Sequence, residues 1–317
     1  MLSAASLRQS AGVTAMLFDE YLFADYSGAI AESHQRRAIR LARASRAGPP
    51  ALVEKRLSRD ELAAEFLARL KVASSARRRV CFGQDHQYGI PHALAQELSV
   101  DGLPWRDALN ALYAGSYGGP AFAHPQRFAA AFNSWLLARG QRPYFYSATK
   151  AHTYGLPNRD PRDGDDSVYR MTERCRPQSG TGTPKPFNRV GDNGTVGGQS
   201  LVGMSAILDI LAVCEREGVR VAVWPFDGLA IADAAYTCAH VMIEPYPSAV
   251  RAAAVAQDDD SDALASAEHV RELDARGLLG NALDLSGLGP AAAAVVRFEG
   301  WIVSHQPPSF DGEDPSI

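Results

Sequence analysis

Apolar positions gather into short runs, and several of those runs stop at an acid. Residues 21–24 are apolar and lead into Asp25-Tyr26-Ser27-Gly28, the pattern of a short buried strand ending in a tight turn. Residues 38–45 alternate in part, Gly48-Pro49-Pro50 marks a turn, and 51–57 read as a further strand. The three pieces predict an antiparallel meander. Ser58 and Glu61 have capping-box spacing, and Leu62, Phe66, Leu67 and Leu70 follow on one helix face. Residues 80–84 are strand-like and run straight into Asp85.

Residues 91–140 carry a helical pattern. Pro104 suits a first helical position, Phe128, Phe132 and Trp135 share a face, and Gly140 is a stop. An aromatic strand-like piece at 143–146 follows, and periodicity is then lost. Residues 181–199 are rich in Gly, Pro, Asn and Thr, as in a functional or a disordered loop. Ser200 can cap the next helix, which carries Leu201, Met204, Ile207, Leu208 and Leu211 and ends at Gly218. Strands at 219–224 and 240–243 stop at Phe226-Asp227-Gly228 and at Glu244-Pro245. Five residues, Asp258-Asp259-Asp260-Ser261-Asp262, open a helix that runs to about 275. A last apolar unit spans 290–303. The ends, 1–15 and 305–317, read as a flexible leader and a disordered tail. There is no internal repeat.

Composition narrows the class. Of 317 residues, 46% are hydrophobic and 21% charged, which excludes disorder throughout and fits one large or two smaller domains. The net charge of −4 argues against a strongly basic nucleic-acid coat while leaving room for a local basic patch. Four cysteines occur without a C-x-x-C pair. That excludes a zinc ribbon or thioredoxin motif and makes a reducing, cytoplasmic location the expectation. No apolar run approaches the ~20 residues that cross a bilayer, so no membrane is expected.

The chemistry lies in the acids. Asp25, Asp85 and Glu244 each follow an apolar strand, and Asp259 and Asp262 stand three apart at a helix start. Parallel strands put their carboxyl ends on one sheet edge, so such acids can converge from distant parts of the chain. Converging carboxylates repel, and a divalent cation relieves the conflict. Hard oxygen ligands suit Mg²⁺ or Mn²⁺ rather than zinc. Two such ions ~4 Å apart can activate water and stabilise the leaving oxygen of a phosphodiester. A lone acid after a strand is more often a turn or helix cap; the coincidence of several raises the metal-site reading. Asp227 reads as a plain turn residue, and Asp258 and Asp260 as acids answering the helix dipole.

Local words make the pattern more specific. Phe23-Ala24-Asp25-Tyr26-Ser27-Gly28-Ala29, Gly83-Gln84-Asp85-His86-Gln87-Tyr88-Gly89-Ile90-Pro91, Ile243-Glu244-Pro245-Tyr246-Pro247-Ser248 and Asp258-Asp259-Asp260-Ser261-Asp262-Ala263-Leu264 occur in that order, with Glu299-Gly300-Trp301-Ile302 near the end. Over residues 20–304 the chain resembles the predicted RNase H-like nuclease family, domain of unknown function 429. The resemblance implies an α/β fold of ribonuclease H-like type, a mixed five-stranded sheet flanked by helices, in one domain over 16–304. A helical and loop insertion would occupy about 91–199. It also implies a nuclease hydrolysing phosphodiester bonds, dependent on Mg²⁺ or Mn²⁺ through a two-metal-type mechanism. Asp25, Asp85, Glu244 and Asp262 would be the catalytic acids and, with Asp259, the metal ligands. The chain departs from the family in its long segment between Asp85 and Ser200 and in the His86-Gln87 that follows Asp85.

Nucleic acid, DNA or RNA, is the expected partner. The insertion mixes Arg159, Arg162, Arg170, Arg174, Arg176, Lys185 and Arg189 with Tyr144, Phe145, Tyr146, Tyr154 and Tyr169, a composition suited to phosphates and unpaired bases or to a plain salt-bridged surface. The candidate substrate contacts are Ser27, Gly28, His86, Arg170, Arg174, Lys185 and Arg189. His86 could also assist proton transfer, and His269 lies on the Asp262 helix face. The glycine-rich stretch before the Ser200 helix could offer backbone donors to an anion. Two rivals stand beside the nuclease. One is an actin-like or sugar-kinase-type phosphotransferase or ATPase, which would repeat its core. The other is a non-catalytic nucleic-acid-binding module on the same fold. A Walker loop and a G-x-S-x-G elbow are both absent from the sequence.

Overall fold

The computed structural model describes residues 16–114, 124–175, 185–192, 195–250, 258–303 and 305. The expected leader, the tail from 306 onward, Arg176 and the 181–184 start of the glycine-rich stretch lie outside these residues.

Six strands form one mixed sheet: β1 (Glu20–Asp25), β2 (Arg40–Ser45), β3 (Gly48–Leu52), β4 (Val80–Gln84), β5 (Val221–Val223) and β6 (His240–Met242). Their spatial order is β3-β2-β1-β4-β6-β5. The α/β class is as expected, but the sheet has six strands rather than five. The sixth is β5, three residues pairing parallel with the outer side of β6. Strands β1 to β3 form the antiparallel meander, and β4 lies parallel to β1 on its other side. Gly48-Pro49-Pro50 belongs to β3 rather than to a turn; Arg46-Ala47 make the turn. Proline is tolerated there because β3 is an edge strand. The aromatic piece at 143–146 joins no sheet strand, and Tyr146 makes a single bridge to Arg189.

The helices are α1 (Glu32–Ala38), α2 (Arg59–Ser75), α3 (His92–Glu97), α4 (Trp105–Ala114), α5 (Pro125–Leu137), α6 (Ala151–Tyr154), α7 (Met171–Arg174), α8 (Gly197–Arg216), α9 (Pro247–Val250), α10 (Asp259–Ala275), α11 (Leu279–Ala282) and α12 (Pro290–Glu299). Strand alternation sorts side chains into two cores. Leu22, Ala24, Phe82 and Met242 enter one, with Phe66 of α2, Leu109 of α4, Phe128 of α5 and Met204 of α8. Tyr21, Phe23, Cys81, Val241 and Ile243 enter the other, with Ala263 and Ala267 of α10 and Val296 of α12. Helices therefore cover both faces of the sheet. The predicted capping box forms: Ser58 Oγ accepts from the Glu61 amide, and Glu61 accepts from the Ser58 amide at 2.9 Å. Helix α8 is long and apolar enough to cross a membrane by length and composition, but its Leu201, Met204, Ile207 and Leu211 are spent on the first core.

Two features set the carboxyl edge of the sheet. Helix α10 is tied down near both ends. The buried Asp274 carboxylate accepts from the Leu17 amide at 2.8 Å, the Phe18 amide at 3.0 Å and Tyr21 Oη at 2.5 Å. Asp260 pairs with Arg40 of β2. The first turn of α10 is thereby fixed beside the end of β1. The second feature is Gly83. A Cβ there would lie 2.0 Å from the Ile243 carbonyl oxygen, so only glycine lets the end of β6 close against β4.

Candidate active site

Strand register brings the first two acids together. Ala24 of β1 lies opposite Gln84 of β4 in a parallel pair, so the next residues, Asp25 and Asp85, leave the sheet side by side. Both keep the alternation of Phe23, which puts them on the α10 face. Asp258 caps α10 by accepting from the Ser261 amide at 2.8 Å, which leaves Asp259, Asp260 and Asp262 in the first turn. Asp259 and Asp262, three residues apart, share a helix face. All four, Asp25, Asp85, Asp259 and Asp262, line one cleft of about 550 Å³. Asp260 is turned to Arg40 instead.

The electrostatics are those of crowded acids. Burial pushes the Asp25 carboxyl far above the ordinary carboxylate range, and the charges of Asp85, Asp259 and Asp262 push it further. Burial also raises Asp85, although the hydrogen bond from the Tyr26 amide, at 2.7 Å, pulls part of that back. Gln199, in the first turn of α8, donates from Nε2 to Asp85 Oδ1 at 3.1 Å and to the Tyr26 carbonyl at 2.7 Å. Such a pair must share a proton or hold a cation. Its donors are all carboxylate oxygens, which fits Mg²⁺ or Mn²⁺. Among the described residues, no three His, Cys, Asp or Glu side chains gather at ligand distance around one point.

Glu244 also lines the cleft, but it is engaged differently. Met242, two residues earlier, faces the first core and Ile243 the second. Glu244 follows just past the end of β6. Its carboxylate is only 4% exposed and is gripped by Arg170, with Nη1 to Oε2 at 2.7 Å and Nη2 to Oε1 at 2.5 Å. Burial works to raise Glu244, and the guanidinium offsets part of that. Glu244, expected as a metal ligand beside Asp25 and Asp85, has both of its oxygens in an ion pair with Arg170.

The expected substrate contacts divide. Ser27, Gly28 and Lys185 line the cleft. Gly28 is there because the chain passes close to α8: a Cβ would lie 2.9 Å from the Gln199 amide nitrogen. Arg170 is 0% exposed and cannot reach a substrate. Burial alone would lower it, but Glu173 and Glu244 hold it charged, well above its usual value. Arg174 is exposed but does not line the cleft. Arg189 also lies off the cleft wall, paired with Asp192 at 2.9 Å. Asp192 does line it, as a structural acid. Burial opposes its ionisation, but bonds from Thr149, Ala148 and Arg189 hold it below the ordinary range.

His86 borders the cleft, yet both ring nitrogens are engaged, Nδ1 with the Gln87 carbonyl at 2.9 Å and Nε2 with the Gln84 side chain at 2.8 Å. Burial lowers its pKa to about 4. It sits between the Tyr26 and Tyr88 rings and is a packing residue. His269 does not line the cleft. Ser200 is not a cap. Helix α8 begins three residues earlier, at Gly197, where a Cβ would meet the Phe187 carbonyl at 2.1 Å. Ser200 Oγ instead accepts from the Gln87 amide at 3.1 Å. Tyr144 and Phe145 are core residues rather than stacking platforms, and Arg162 is buried on Glu97. Asp227 closes its turn, accepting from the Val223 amide at 2.7 Å.

Gln199 and Glu173 were not legible as site residues. Neither has a distinctive local pattern; both reach the cleft only through tertiary packing. Compared with protein-family models, with curated proteins and with solved structures, the chain matches none.

Proposed function

We propose that the protein is a Mg²⁺- or Mn²⁺-dependent phosphodiesterase of ribonuclease H-like type acting on nucleic acid. The observation that carries the reading is the Asp25–Asp85 pair. Two strand-end carboxylates lie side by side, both pushed up by burial, in a cleft shared with Asp259 and Asp262. Strand order supports the same reading. The run β3-β2-β1-β4-β6, with β2 antiparallel to its neighbours, is the arrangement expected of such a sheet, and β5 adds one strand at the edge.

Asp25 and Asp85 would hold the cation, with Asp259 and Asp262 adding negative charge across the cleft. A bound divalent cation supplies Lewis-acid polarisation of a phosphodiester and activates water at neutral pH. The remaining work falls to the chain. The Tyr26 amide and Gln199 fix the orientation of Asp85. Lys185 on the cleft wall is placed to offset phosphate charge. An actin-like reading draws less support, because the described residues form one sheet and not a repeated core.

Calorimetric titration with Mg²⁺ and Mn²⁺, on wild type and on Asp25→Asn/Asp85→Asn, tests the reading alongside a cleavage screen on single- and double-stranded DNA and RNA. Saturable binding and metal-dependent cleavage, both lost in the double variant, are expected. Cleavage that survives in the double variant would overturn the assignment. So would a folded wild type that neither binds Mn²⁺ nor cleaves any substrate.

A further inference from the structure

Arg170 is the most heavily committed side chain beside the cleft. All five of its N–H groups have acceptors. Nε donates to Glu173 Oε1 at 3.1 Å. Nη1 donates to Glu244 Oε2 at 2.7 Å and to the Glu299 carbonyl at 3.1 Å. Nη2 donates to Glu173 Oε1 at 2.9 Å and to Glu244 Oε1 at 2.5 Å. A guanidinium has no further donors to give. It is also wholly buried, so it has no solvent into which to swing.

The surroundings lock this arrangement. Gln87, two residues after Asp85, donates from Nε2 to Glu173 Oε1 at 2.5 Å. The Tyr88 amide approaches Glu244 Oε2 at 3.3 Å. Gly300 lies beside the guanidinium and against the Phe226 ring, which a Cβ there would meet at 2.8 Å. The positive charge beside Glu244 is therefore a fixed part of the protein.

We infer that Arg170 serves as a built-in counter-ion at the Glu244 side of the cleft, so that the site takes one divalent cation rather than two. The inference rests on the metal-dependent reading above and sharpens it. A second cation at Glu244 would have to strip both carboxylate oxygens from Arg170 and would then face the guanidinium at short range. That charge can neither leave nor be neutralised, because Arg is always protonated in proteins. At the other side of the cleft, Asp85 accepts from neutral donors, the Tyr26 amide and Gln199 Nε2. Arg170 is thus a positioning residue acting through Glu244, not a substrate contact.

The test is the stoichiometry of Mn²⁺ binding to the full chain, by calorimetry and by electron paramagnetic resonance of the bound ion. Wild type should bind one ion with the hyperfine pattern of an isolated Mn²⁺. Asp25→Asn should abolish binding. Glu244→Gln, whose amide oxygen can still accept from Arg170, should keep one ion with affinity within about threefold of wild type, since a true ligand or its direct support would cost about tenfold or more. Arg170→Met, where it folds, should gain a second, weaker ion at the freed Glu244, an outcome that a purely structural arginine would not produce. Two exchange-coupled ions in wild type, or a tenfold loss in Glu244→Gln, would overturn the inference and leave the metal-dependent reading standing. No Mn²⁺ binding and no cleavage by wild type would overturn that reading and this inference with it.

Discussion

Asn at position 25 should make the metal-free protein more stable, and only above acidic pH. Asp25 and Asp85 are both raised by burial, and each lies in the field of other acids. For two carboxylates in contact, at an effective dielectric of about 20, repulsion is about 4 kcal/mol. The wild type can avoid this by keeping a proton. Holding one at pH 7 on a group of ordinary pKa near 3.9 costs about 4 kcal/mol as well. Either way the acid pair is a burden of a few kcal/mol, which water in the cleft reduces. Asn mimics the protonated acid, because its amide can still donate toward Asp85. The expected gain is about 1–3 kcal/mol at pH 8.

The sign follows from both pKa values being raised on folding. Below about pH 3, Asp25 is almost wholly protonated in folded and unfolded chains alike, and the variant should gain nothing. As pH rises through the unfolded value toward the raised folded value, wild type loses stability and the variant does not. Urea denaturation in EDTA at several pH values measures the difference directly. Added Mg²⁺ should then stabilise wild type and leave Asp25→Asn unchanged. A variant destabilised by more than about 1 kcal/mol at pH 8, with no dependence on pH, would refute the argument, since buried repelling acids could not behave so.

Gly83→Ala should be among the most damaging small substitutions in the chain. The added methyl would sit 2.0 Å from the Ile243 carbonyl oxygen, so β4 and β6 must part. A loss of about 3 kcal/mol or more, read from urea midpoints, is expected. His86 should remain neutral through the physiological range, since burial takes its pKa to about 4. A ring titration followed by NMR should show no protonation between pH 5.5 and 8, and a midpoint near 6.5 would contradict the packing described for it.

How much of this was legible in the sequence depends on how local each cause is. The capping box at Ser58, the acids that close strands and the cap at Asp258 are local, and they stand where their spacing put them. The first two strands of the meander and the parallel strands were readable as apolar runs, but the third strand lies at Gly48–Leu52 rather than at 51–57. Two local signals were overridden by position in the sheet. Gly48-Pro49-Pro50 carries turn chemistry but lies in an edge strand, where missing donors do no harm. Residues 143–146 carry strand chemistry but join no sheet strand, and Tyr144 and Phe145 pack into the first core.

The sequence by itself determined which acids could meet, because a residue just past an apolar strand must emerge at the sheet edge. It could not determine which of them face the same way. That depended on parallel register, which sets Asp25 beside Asp85, and on tertiary packing, which gives both Glu244 oxygens to Arg170. Nor could it separate arginines that meet solvent from the one that meets two buried carboxylates. Arg170 and Arg174 look alike along the chain, one on either side of a single helical turn. One is held by segments 74 and 129 residues further along the chain, and the other is exposed. Burial of charge is a property of the whole packed molecule, and only the tertiary structure decides it.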